Sequence, residues 1–213
     1  MAGHDALKPS RFLGAGAKVA AIRILGLGCV FVLQVVLARL LGDAAGYGSY
    51  AWGQSLLFFF GGIAALGMPL AAARFIAVLV DRGDEDGARR VLRRARRHVL
   101  LAALVLLALA LVLSLVDPGG HLGGLSTSLV VVALVGAPAA AWLNLNQSVA
   151  RARGWLVAAF LPSQLLRPLA TGCLALLAAG LLTTPGPAVY LACVPLAILL
   201  VSLVQERFLQ RGA

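Results

Sequence analysis

Long apolar runs alternating with short polar connections organise this chain from end to end. Within each run the apolar residues cover every side of a helical wheel rather than one stripe, which suits helices surrounded by lipid and by one another. The runs predict six helices, at about 15–41, 48–80, 99–116, 129–147, 155–182 and 188–204. The second is too long for one straight span, and Gly61, Gly62, Gly67 and Pro69 predict a kink in it. Gly42 to Tyr47 (GDAAGY) predicts a tight turn, Asp117 to Ser128 a Gly-rich loop, and Thr183 to Pro187 (TTPGP) another turn.

The stretch 81–98, DRGDEDGARRVLRRARRH, is the one long charged run. It is expected to be a basic cytoplasmic loop, with its acidic residues placed where a helix N-terminus would favour them. An alternative role for its arginines is specific binding to anionic lipid headgroups.

Composition places the chain in a membrane. Of its 213 residues 61% are hydrophobic and 12% charged, with a mean hydropathy of +0.96, whereas soluble domains carry roughly 25% charged residues. The expected fold is therefore all-α: a single integral membrane unit over 1–213 with six transmembrane helices. The net charge of +10 does not point to nucleic acid, because the basic residues concentrate in the connections. All Lys and Arg except Arg23, Arg39, Arg74 and Arg167 lie on the N-terminal side of the six spans. That asymmetry places both termini in the cytoplasm, with Arg39 as an anchor near the opposite interface. The N-terminal run is too long for a signal peptide and lacks an A-x-A exit, so it is expected to stay as the first helix.

Cys29, Cys173 and Cys193 fall inside apolar runs with no metal-ligand spacing, and the lone His121 has no partner motif. No metal and no cofactor are expected. HExxH, GxSxG, P-loop and dinucleotide-binding patterns are missing, so catalysis is not expected either.

Arg23, Arg74 and Arg167 are ionisable residues at membrane depth, where each needs a wet cavity, a partner or an interface. At about 100° per residue, Gly16, Arg23 and Gln34 fall within roughly 20° of one another on the first helix. Gln164, Arg167 and Thr171 follow i, i+3, i+7 on the fifth, between Pro162 and Pro168. The candidate cavity-lining residues are thus Arg23, Gln34, Arg74, Gln164, Arg167 and Thr171. No carboxylate lies at comparable depth, so an anionic substrate or a lipid phosphate is the expected counter-charge. Snorkelling of Arg23 and Arg74, and carbonyl pairing of Arg167, are the plainer alternatives.

Three segments carry a family resemblance: LARLLGDAAGYGSYAWGQSLL, ALGMPLAAARFIA and NQSVARARGWLVAAFLPSQLLRPL. They resemble the N-terminal region of Wzx-like polysaccharide and oligosaccharide flippases of the multidrug/oligosaccharidyl-lipid/polysaccharide exporter superfamily. The first holds an A-R-x-L-G turn before Y-G-x-Y, the second an L-G-x-x-x-A-x-x-R element, and the third an R-G-x segment.

The resemblance implies one lobe of a MATE-like flippase fold in the bacterial cytoplasmic membrane. It also implies translocation of a polyprenyl-pyrophosphate-linked glycan, the pyrophosphate or acidic sugar meeting cationic residues of a central cavity. Such transporters enclose their path with two lobes of about twelve to fourteen helices in all. Six helices correspond to one lobe, as a fragment, a split-gene product, a degenerate copy, or a half that pairs with a second six-helix half or a second copy. A cation-coupled drug exporter of the same superfamily, or a non-transporting scaffold recruiting glycan-synthesis partners through 81–98, are the alternatives.

Overall fold

A computed structural model describes residues 9–117, 121–122 and 125–211. Lys8 and residues 118–120 and 123–124 of the Gly-rich connection lie outside the described residues, as do the side chains of Arg11, His121 and Arg211. The helices are α1 (Pro9–Leu41), α2 (Ala44–Ala65), α3 (Met68–Asp81), α4 (Glu85–Val116), α5 (Thr127–Ala152), α6 (Leu156–Leu161), α7 (Arg167–Leu181) and α8 (Pro187–Arg211). A π-helical turn, Pro162–Leu166, joins α6 to α7. Beside the helices, the described residues hold only a two-residue antiparallel pairing of His121–Leu122 with Leu125–Ser126 before α5. Among the described residues, five helices or continuous helical runs are long and apolar enough to cross a membrane. The bent α2–α3 pair makes a sixth.

α5 is the central helix. Its Leu129, Ala133, Ala139, Ala140 and Leu143 join a hydrophobic cluster with Leu33 and Leu37 of α1, Tyr50 and Leu57 of α2, and Tyr190, Leu191 and Ile198 of α8. Its other side, through Leu134, Ala137, Ala141, Leu145 and Val149, packs in a second cluster with Ile76 of α3 and Ala95, Val99 and Leu106 of α4. Small residues allow the approach. A Cβ on Gly61 of α2 would lie 2.9 Å from Ala140 Cβ and 3.1 Å from the Ala137 carbonyl oxygen. One on Gly136 of α5 would lie 2.8 Å from Pro195 Cβ and 2.9 Å from Leu57 Cδ1.

The expected kink in the second helix is present as a break of 47° between α2 and α3, but its cause is narrower than the four residues suggested. Leu66 (φ 45°) and Gly67 (φ 71°) both adopt left-handed backbone, the Leu66 N–H donates to the Ile63 carbonyl, and Pro69 falls in the first turn of α3. Pro69 therefore starts a helix, a position where its missing N–H costs nothing. Gly61 is a packing residue and Gly62 faces open space.

The expected loop 81–98 is a helix from Glu85 onward. Asp84 caps α4 by accepting from the Gly87 N–H at 2.7 Å, and Glu85 and Asp86 sit in the first turn, favourable to its dipole. Ala88, Ala95 and Val99 form a buried apolar stripe against α3 and α5, and that stripe holds the basic segment helical. The expected end at 147 also moves: α5 runs on to Ala152 because Asn146, Ser148, Val149 and Ala150 are buried inside the packing.

Neighbouring glycines give a controlled test of the α2–α5 contact. Gly61→Val is expected to lower stability by about 1–3 kcal/mol through overpacking, and Gly62→Val, with nothing within 4 Å of its Cβ, to cost much less. Thermal or denaturant unfolding of both variants in one detergent compares them at equal helix propensity.

Candidate functional site

The site is built on the π-helical turn. Pro168 supplies no N–H and its ring crowds the carbonyl one turn back, at Gln164. The chain widens by one residue there, and the Arg167 N–H donates to the Pro162 carbonyl. Such widened turns occur often at functional sites. α1 lies directly against this one, since a Cβ on Gly26 would stand 2.7 Å from the Gln164 carbonyl oxygen. Gly26 is thus required for a close approach of α1.

Two guanidinium groups flank the turn, each over an aromatic ring. Arg23 of α1 is exposed, with its guanidinium carbon 5.0 Å from the centre of the Phe160 ring of α6. Arg167, half-buried at the start of α7, lies 5.2 Å from the centre of the Phe58 ring of α2. Neither makes an ion pair among the described residues; the ion pairs present involve Arg90, Arg96 and Arg153. Gln34 accepts a hydrogen bond from Tyr47 Oη at 3.0 Å, tying α1 to α2, and Gln54 Nε2 donates to Tyr50 Oη at 3.2 Å.

Gln34, roughly 16 Å further along α1 than Arg23, bonds Tyr47 of α2, whereas Arg23 and Gln164 lie where α1 meets the π-helical turn and Arg167 follows that turn over Phe58. Thr171 does not open onto the turn in the same way, because at 2% exposure it is buried in the helix packing. Arg74 stands apart. It is exposed on α3, which packs against α4 and α5, and has no ion pair or side-chain hydrogen bond among the described residues.

Comparison with known protein families, with curated proteins and with solved structures finds no match. The site has to be read from its own chemistry.

A second polar group, not anticipated from the sequence, ties α4, α5 and α8 together at the arginine-rich end. Arg96 of α4 pairs with Glu206 of α8 at 2.8 Å and places its guanidinium carbon 5.2 Å from the Trp142 ring centre of α5. Arg153 pairs with Glu85 at 3.1 Å and lies over Trp155. Gln205 Nε2 donates to the Ala158 carbonyl at 2.9 Å. Nearby on the sequence of α5, Asn146 is fully buried with neither amide atom hydrogen-bonded, and Ser202 of α8 is likewise buried with its hydroxyl unpartnered. The sequence signal for Arg96 was its place beside the buried edge of α4, eight residues after Ala88 and three before Val99, hidden by the surrounding arginines. For Glu206, the signal was its isolation as an acid in a basic tail.

The Arg96–Glu206 side chains are only 24% and 19% exposed, so their pairing is partly shielded from water. A double-mutant cycle of Arg96→Gln and Glu206→Gln is expected to give a coupling of about 1 kcal/mol. Additive losses in unfolding free energy would show that the ion pair does not fasten α4 to α8.

Proposed function

We propose that the chain is an integral membrane protein forming one lobe of a transporter that flips lipid-linked oligosaccharide or polysaccharide precursors across the bacterial cytoplasmic membrane. Both termini lie in the cytoplasm in this reading. A second six-helix half, or a second copy, completes the path, because one lobe cannot enclose a two-sided cavity.

The observation that carries the proposal is the pair of carboxylate-free arginines, Arg23 and Arg167, around the π-helical turn. At the centre of a bilayer an arginine costs at least about 2.5–3.5 kcal/mol. A cation–π contact returns about 0.5–2 kcal/mol. The rings orient the guanidinium groups but leave part of that cost uncovered, and water or an anion must supply the remainder. A pyrophosphate-linked substrate offers that anion, with charge-assisted hydrogen bonds from the guanidinium forks. Gln164, Gln34, Tyr47 and Gln54 provide neutral polar contacts suited to sugar hydroxyls. The resemblance of the α1–α2 hairpin to Wzx-like flippases supports the same assignment.

The test is complementation of a strain whose glycan export depends on this protein, with membrane levels of every variant matched. Arg23→Gln combined with Arg167→Gln is expected to reduce export by an order of magnitude or more, and the Arg→Lys pair to retain part of it. Unchanged export in the glutamine pair would remove these residues, and with them the basis of the assignment.

A further inference from the structure

We infer that the arginine-lined groove on the N-terminal extension of α4 binds the phosphodiester headgroup of an anionic phospholipid. The inference rests on the membrane placement in the preceding section but not on glycan transport. At 1.5 Å per residue the 32 residues of α4 span about 48 Å, against a hydrocarbon core of about 30 Å. About ten residues therefore project beyond the core, and these are the arginine-rich ones.

The groove has a volume of about 460 Å³ and is lined by Asp86, Arg89, Arg90, Leu92, Arg93 and Arg96. Arg89, Arg93 and Arg96 recur at i, i+4, i+7 and so share one side of the helix. Arg96 is held by Glu206, and Arg90 stands 3.8 Å from Asp84. Arg89 and Arg93 are exposed and make no ion pair among the described residues. With Arg96 and Arg90 paired, the lining Asp86 offsets one further charge, and the unpaired Arg89 and Arg93 leave the groove cationic. Guanidinium forks match phosphate oxygens in geometry as well as charge.

What selects a lipid over a soluble phosphate is the surface that continues from the groove. Leu100, Leu104 and Leu107 prolong the side of α4 that carries Arg89, Arg93 and Arg96, and all three are exposed. A cationic groove followed without a break by an exposed leucine stripe fits an amphiphile, the phosphodiester in the groove and the acyl chains along the leucines. Neither inorganic phosphate nor RNA has a part that would use the stripe.

Native mass spectrometry of the detergent-purified chain, titrated with phosphatidylglycerol or phosphatidylcholine, tests this directly. Phosphatidylglycerol is expected to bind the more tightly, and Arg89→Gln with Arg93→Gln to weaken it about 10- to 30-fold, at roughly 1 kcal/mol per basic residue. Arg82→Gln with Arg94→Gln removes the same charge away from the groove and is expected to change binding less than about threefold. Restoration by Arg89→Lys with Arg93→Lys would show that the glutamine pair is folded. Equal affinity for the two lipids, an equal loss in the control pair, or displacement of the lipid by millimolar glycerol phosphate or an RNA oligomer would each overturn the inference.

Discussion

Close approach of small residues around α5 is the constraint on which the rest of the fold depends. A helix that must touch α2, α3, α4 and α8 at once cannot carry bulky side chains on every face. α5 answers with Ala133, Gly136, Ala137, Ala139, Ala140 and Ala141, while α2 meets it through Gly61. Between helices in lipid there is little hydrophobic gain in association, so the energy has to come from van der Waals contact, and contact of that kind requires such residues. With α5 fixed, its two sides define the two hydrophobic clusters; α1 and α7 pack onto the first of them, and α6 packs through Ala159 onto Ala150 of α5.

The number and order of the membrane-length runs were legible in the sequence because they depend on hydropathy alone, whereas the breaks that divide two of them into α2–α3 and α6–α7 were less so. The boundaries were not, and the misses share a cause. The arginines of 85–98 outweigh Ala88, Ala95 and Val99 in any average, although those three apolar residues bury the segment as a helix. The polar set Asn144 to Ser148 suggested a helix end for the same reason, yet Asn146 and Ser148 lie in the interior. Polarity was read as exposure, and tertiary packing overrode it. At the break after α2, Pro69 was the conspicuous residue, but the left-handed pair Leu66–Gly67 makes the turn, and leucine in that conformation has no sequence signature.

The candidate site was partly legible. Wheel positions put Arg23 and Gln34 on one stripe and Gln164 and Arg167 on another; Arg23 and Gln164 do lie where α1 meets the π-helical turn, while Gln34 bonds Tyr47 of α2 further along the helix. Their ring partners, Phe58 and Phe160, were out of reach because a cation–π contact between distant segments has no spacing to detect. The wheel also assumed a uniform rotation per residue through Pro162–Leu166, and the π-helical turn shifts Gln164 relative to the residues of α7. Thr171 shares regular α7 with Arg167 but is buried by the packing around it, which no wheel reveals. Arg74 met the same sequence criterion as the others but belongs to a different group of helices.

The distribution of carboxylates separates the two polar regions by what each is suited to do. Every Asp and Glu of the chain lies in a connection, near a helix end or in the tail, and the ion pairs fall there too, at Asp84, Glu85 and Glu206. Arg96 and Arg153 are therefore largely neutralised in place, and their work is to fasten α4, α5 and α8. A carboxylate beside Arg23 or Arg167 would have done the same there, holding the guanidinium and competing with any incoming anion. A phenyl ring holds the group in position and leaves its charge and its N–H donors free. The pairing of these two arginines with Phe160 and Phe58 thus preserves an anion-binding capacity that salt bridges would have consumed. This contrast, rather than the number of arginines, is what distinguishes the two arginines beside the π-helical turn from those at the arginine-rich end.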